Sequence, residues 1–228
     1  MTTKTTAQAD AVWEAIDDQR ARTADLLEQL TDEQWEHPSL CEGWTVRHVA
    51  AHLTLQQQHV GDAVAFIAGH PRMLRSLTLN ATIHDSALIV ARELTSEQIV
   101  ARIRSMIGSR RHNVGVTPLE TLTDILVHSQ DLAVPIGLDL PMEPTAGRMA
   151  ATRRWDTRGS WLDKVFRRIP LEGHRLRATD TDWTRGEGLE VAGPIGAILL
   201  LLTGRAVALE QLTGPGVDSL CPVVSRSA

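Results

Sequence analysis

The sequence predicts a mainly α protein, an antiparallel four-helix bundle followed by a small α+β domain. Three observations lead there. Apolar residues recur at helical spacing through most of the first 140 positions, and Gly and Pro fall between those runs. From about Leu138 the texture changes to short alternating stretches around one strongly apolar segment. The predicted units are residues 1–140, the bundle, and residues 141–228, a smaller domain that needs a neighbour to cover its core.

Each element has its own signal. From about Ala7 to Leu30, Ala11, Val12, Ile16, Leu26, Leu27 and Leu30 form one face of a helix uninterrupted by Gly or Pro. A turn follows through Pro38 to Trp44, and Thr45 can cap a second helix, expected to run to about Ala68 and to stop at Gly69 and Pro71. A third helical region spans Leu79 to Ile107 and is re-capped midway by the Thr95–Gln98 capping-box spacing. Thr117 before Pro118 starts a fourth helix that ends near Val134, ahead of Pro135 and Gly137. In the second unit a helix is expected from Ala146 to Trp155 and strands near Arg175–Thr179 and Leu189–Val191. A final apolar helix is expected from Pro194 to about Leu212, with a frayed tail after Val217.

Composition narrows the function classes. Lys and Arg number 23 against 28 Asp and Glu, a formal charge of −5, which is the wrong sign for a dedicated nucleic-acid binder. The most apolar run, Ile195 to Leu202, is far shorter than the roughly 18–20 residues a membrane span requires. The first ten residues carry no secretory pattern, and two cysteines, Cys41 and Cys221, make no disulfide framework, so the expected compartment is a reducing cytoplasm.

Chemistry-bearing residues gather on two helices. His48, His52 and His59 are spaced by four and seven residues, so a continuous second helix would align them on one face. Asp124 and His128, four apart on the fourth helix, must project together, and Asp131 follows one turn on. Imidazole and carboxylate suit zinc and other divalent transition metals, and two facing helices can build such a site in a bundle core. Both pairs lie in apolar surroundings, Val49 to Leu53 and Ile125 to His128, where a polar group buried unpaired costs on the order of 1 to 3 kcal/mol. Pairing of these residues with one another, without metal, meets the same demand. Glu120 suits the first turn of its helix and is a fallback carboxylate. Cys41, beside Trp44, reads as packing, and Trp44 and Trp183 as anchors at element ends.

The string Leu40 to Leu53 (LCEGWTVRHVAAHL) resembles the N-terminal signature of the mycothiol-dependent maleylpyruvate isomerase family, within the DinB-like superfamily of metal-binding four-helix bundles. Asp124 to Asp131 resembles its second motif, an acidic residue four before a histidine. Ala178 to Trp183, Gly193-Pro194 and Leu202 to Arg205 resemble its small C-terminal domain. The resemblance covers nearly the whole chain and implies His52, Asp124 and His128 as metal ligands, with Asp124 where the isomerase has a glutamate. It implies a divalent metal such as zinc, mycothiol or another low-molecular-weight thiol as cofactor, and isomerase or thiol-transferase activity in an actinobacterium-like cytoplasm. The implied partners are a small, acidic substrate and the thiol, with no nucleic acid or membrane and a homodimer left open. Arg205, expected in the final helix, matches an arginine that would clamp a substrate carboxylate. A metal-binding DinB-like protein without turnover, acting as a sensor, carrier or stress-associated module, is the alternative.

Overall fold

Helices in the first unit begin where side chains can satisfy their open amides. Thr31 and Gln34 exchange reciprocal bonds at one start, and Thr95 and Gln98 do the same at another. At Thr117 the Glu120 carboxylate accepts from the backbone amide, with Pro118 as the first helical residue. The computed structural model describes residues 2–70, 73, 78–160 and 169–220. It divides into two compact units, Met1–Leu140 and Pro141–Ala228.

The first unit contains α1 (Thr2–Glu28), α2 (Asp32–Glu36), α3 (Val46–Leu53), α4 (Val60–Gly69), α5 (Leu79–Glu93), α6 (Ser96–Ser105) and α7 (Pro118–Ala133). Helix α1 packs on α6 and α7, and α3 packs on α5 and α7, which closes a four-cornered bundle with α5 and α6 as its third rod. Ile16, Leu27, Leu53, Ile99, Ile103, Ile125 and Leu132 fill its interior. Helix α2 is an addition to the expected elements. Its Thr-Asp-Glu-Gln start is a legible capping box, and its Trp35 is buried.

The second expected helix is two. Thr54 turns its hydroxyl onto the Ala51 carbonyl at 2.7 Å, and the Gln58 amide donates to Asn113 Oδ1 at 2.8 Å. The long-range bond from Gln58 outcompetes the helical ladder and separates α3 from α4. His59 therefore does not continue the face of His48 and His52. It is exposed, and its Nε2 accepts from Arg111. Pro71, the other expected stop, lies outside the described residues.

The second unit holds α8 (Pro144–Asp156), β1 (His174–Ala178), β2 (Thr184–Gly186), β3 (Leu189–Gly193) and α9 (Ile195–Leu202). Strand β1 is central, antiparallel to β2 and parallel to β3, with Leu176 opposite Arg185 and Val191. Strand β2, only three residues long, lies between the two expected strands. Helix α9 is apolar on all sides, as its burial against α8 and the sheet requires. It ends eight residues in rather than near Leu212, because Thr203 bonds back to the Leu199 carbonyl and Gly204 takes a left-handed φ of 86°. A 3-10 helix, Ala206–Gln211, follows. Residues 217–220 form a helical turn that buries Leu220, so the tail is ordered there; Cys221 lies outside the described residues.

Candidate metal centre

A tight turn and two helices assemble the site. In Cys41-Glu42-Gly43-Trp44 the Trp44 amide bonds to the Cys41 carbonyl, and Gly43 takes φ of 76°, a conformation that favours glycine. The Leu40 amide donates to the Asp131 carbonyl at 3.0 Å, which ties this loop to the C-terminal part of α7. Helix α3 leaves the turn with His48 and His52 one helical turn apart. His48 faces backward, where its Nδ1 accepts from the Thr45 amide at 3.0 Å and completes the helix start. Burial pushes its pKa down. His52 faces α7.

His52 Nε2 lies 3.4 Å from Asp124 Oδ1, and His128 Nε2 lies 3.4 Å from the same oxygen. The three donor atoms fall within 4.8 Å of one another. The His52 and His128 rings meet edge-on at 4.9 Å, and Trp44 packs beside His52 at 5.5 Å. The side chains of His52, Asp124 and His128 retain 14, 33 and 16% exposure, so the cluster opens toward a surface of the bundle unit.

Asp131 is the fully buried member of the arrangement. Its Oδ2 takes His128 Nδ1 at 2.8 Å and Cys41 Sγ at 3.2 Å. With a proton on Nδ1 shared with this carboxylate, Nε2 is the ring nitrogen of His128 that faces Asp124. His52 lacks such a partner: its buried Nδ1 has no hydrogen bond among the described residues.

Electrostatics couple the cluster. Burial raises the Asp124 carboxyl, but the charges of His52 and His128, together with hydrogen bonds from His52 and Gln56, outweigh it and hold Asp124 far below the usual carboxylate range. Burial lowers His128, and here the Asp124 charge and the bonds to Asp131 and Cys41 win, holding it well above the usual histidine value.

Thus His52, Asp124 and His128, named from the sequence, come together. Glu120 does not join them, since its carboxylate caps its own helix. Sequence reasoning gave no part in the site to three participants. Asp131 was visible only as a carboxylate three after His128. Gln56, four after His52, donates to Asp124 Oδ2 at 2.7 Å. Cys41, expected to serve as packing, engages the Asp131 carboxylate and forms no disulfide among the described residues. Arg205, expected inside the final helix, lies beyond it, where its Nη1 donates to the Thr203 carbonyl at 2.7 Å.

Residues 16–123 match the family model of the mycothiol maleylpyruvate isomerase N-terminal domain. That match covers most of the bundle unit and just under half of the chain. The match stops one residue short of Asp124, so the α7 half of the cluster rests on the geometry above. The fold is also that of a crystal structure of the mycothiol-dependent maleylpyruvate isomerase, at 14% identity and TM-score 0.57 over 91% of this chain and 92% of that one. A second structure, the same isomerase with a histidine replaced by alanine, gives 15% identity and TM-score 0.55 over the same shares. No curated protein matches the chain by sequence. No helix among the described residues is long and apolar enough to cross a membrane.

Proposed function

We propose that this chain is a metal-dependent, thiol-using isomerase or thiol transferase acting on a small, acidic substrate, with His52, Asp124 and His128 as the metal ligands. The observation that carries the proposal is the pair of 3.4 Å separations from Asp124 Oδ1 to the two Nε2 atoms. That distance is long for a hydrogen bond. It is the separation between neighbouring ligands on a tetrahedral ion whose bonds are about 2.0–2.1 Å, roughly 3.4 Å. Two imidazoles and a carboxylate are a donor set for zinc or a similar divalent ion, and three protein ligands are the number found where a position stays open for chemistry.

A divalent ion held there supplies an electrophilic open position at which a thiol ionises near neutral pH. The protein's own residues prepare for it. Asp131 keeps the proton of His128 on Nδ1, which leaves Nε2 to ligate. Asp124 contributes a charge, offsetting part of the ion's. Trp44 walls the His52 side with an apolar face, which limits water there. The name of the structural relative suggests mycothiol as the thiol and isomerisation of a small acid as the reaction class. Arg205, in the second unit, is a proposed carboxylate-binding residue, its planar fork matching two oxygens.

Titrating mycothiol into zinc-loaded and zinc-stripped protein tests this reading. Calorimetry should show saturable binding to the loaded chain alone. Equal binding to both forms, or none to either, overturns the thiol role and leaves a metal-binding module.

A further inference from the structure

Behind the candidate centre lies a charge that its three ligands do not require. Arg20, on α1, is among the most deeply buried side chains of the bundle, with no exposure at all. Its Nη1 donates to the Met106 carbonyl at 2.9 Å and lies 3.6 Å from Asp17. Its Nη2 points at Gln56 Oε1, 3.4 Å away, and Gln56 Nε2 donates onward to Asp124 Oδ2 at 2.7 Å. Gln56 is itself only 4% exposed.

These neighbours fix which way the Gln56 amide faces. A guanidinium only donates and a carboxylate only accepts, so the amide oxygen must face Arg20 and the NH2 must face Asp124. The reversed amide would set donor against donor and acceptor against acceptor in a buried site. The guanidinium also polarises the amide, strengthening the bond that Gln56 donates. Desolvation costs Arg20 dearly, which shows in its lowered pKa, and Asp17 offsets only part of that. An apolar side chain in its place would meet no such cost.

From this geometry we infer that Gln56, oriented by Arg20, is a positioning residue that keeps Asp124 a one-oxygen metal ligand. Oδ2 is occupied by the Gln56 amide, and only Oδ1 faces His52 and His128. An aspartate is short, and on a freely turning carboxylate both oxygens could reach one ion, raising its coordination number and using the position a thiol needs. The amide prevents that rotation. The inference rests on the metal reading proposed above.

Cobalt(II), whose visible absorption is intense in four-coordinate sites and weak in five- or six-coordinate ones, reports the difference directly. Full-length wild-type protein titrated with cobalt should give an intense four-coordinate spectrum. Gln56→Met should still bind one cobalt, but with an affinity about 10–100-fold lower and a weaker, shifted spectrum. Gln56→Glu keeps the shape and removes the donated proton, so it should show the same spectral change and stands in if the methionine variant does not fold. A residue that served only packing would lower the melting temperature of both variants and leave the cobalt spectrum as in wild type; that result overturns the inference. Failure of wild-type protein to bind cobalt would instead overturn the metal reading beneath it.

Discussion

The two units solve burial in opposite ways. The bundle unit encloses Gln19, Arg20, Thr23, Gln56, Thr121, Thr123, Ser129 and Asp131, whereas the buried polar residues described in the second unit are Arg154 and Thr203. In the bundle these groups form bonds that cross between helices, such as Thr23 to Ser129 at 2.7 Å and Gln56 to Asp124. In the second unit the interior is Leu176, Val191 and the aliphatic α9. A satisfied polar interior adds little stability over an apolar one, because each net hydrogen bond contributes about 1 kcal/mol and each unmade one costs more. What it adds is fixed direction. The bundle spends its interior on aiming side chains, and the second unit spends its interior on holding together.

Substitutions that cross the comparison should separate the two economies. The largest stability effect is expected in the apolar unit. Leu199→Ala removes a fully buried side chain and should cost about 2–5 kcal/mol, read by hydrogen exchange in β1 and α9, while metal content stays unchanged. A metal held between α3 and α7 should stabilise the bundle by about 2.7 kcal/mol at a hundredfold excess over its dissociation constant. Chelation should therefore raise exchange in α3 and α7 and leave α9 as it was; equal effects in both would erase the distinction. Asp131→Asn, nearly the same in size, should weaken metal binding about 10–100-fold through loss of the carboxylate that holds His128. Wild-type affinity in that variant would show that His128 needs no such support.

Acidity gives a graded test. In the metal-free chain the Asp124 and Asp131 carboxylates stabilise protonated His128, whose pKa lies well above the usual value. Their contribution to folding is full below the ordinary histidine range and is lost as pH rises through the raised value. A metal must displace that proton, so its affinity should rise with pH across the same interval. An affinity independent of pH there would mean that His128 is not a ligand. The smallest effect is expected at Arg205. Arg205→Lys keeps the charge but loses the two-pronged fork, and should weaken binding of small dicarboxylates with metal content unaltered.

Much of this was legible in the sequence because helical periodicity and capping pairs are local. Thr95–Gln98 and Thr117–Pro118 mark their helix starts in four residues or fewer, and the Asp124–His128 spacing forces both onto one side of α7. What escaped depends on partners far along the chain. The break after α3 follows from Gln58 meeting Asn113, 55 residues away, and no local signal predicts it. Arg20 meets Gln56 across 36 residues, and Cys41 meets Asp131 across 90. The early end of α9 had a local signal in Thr203-Gly204, overridden in the reading by the apolar run around it.

Metal content of the purified full-length chain tests the central claim most directly. Elemental analysis should find about one divalent transition-metal ion per wild-type chain and none in His52→Ala or His128→Ala, while His48→Ala, which loses only a helix cap, retains the ion. Undiminished metal in the His52 and His128 variants, or loss confined to His48→Ala, would contradict the account.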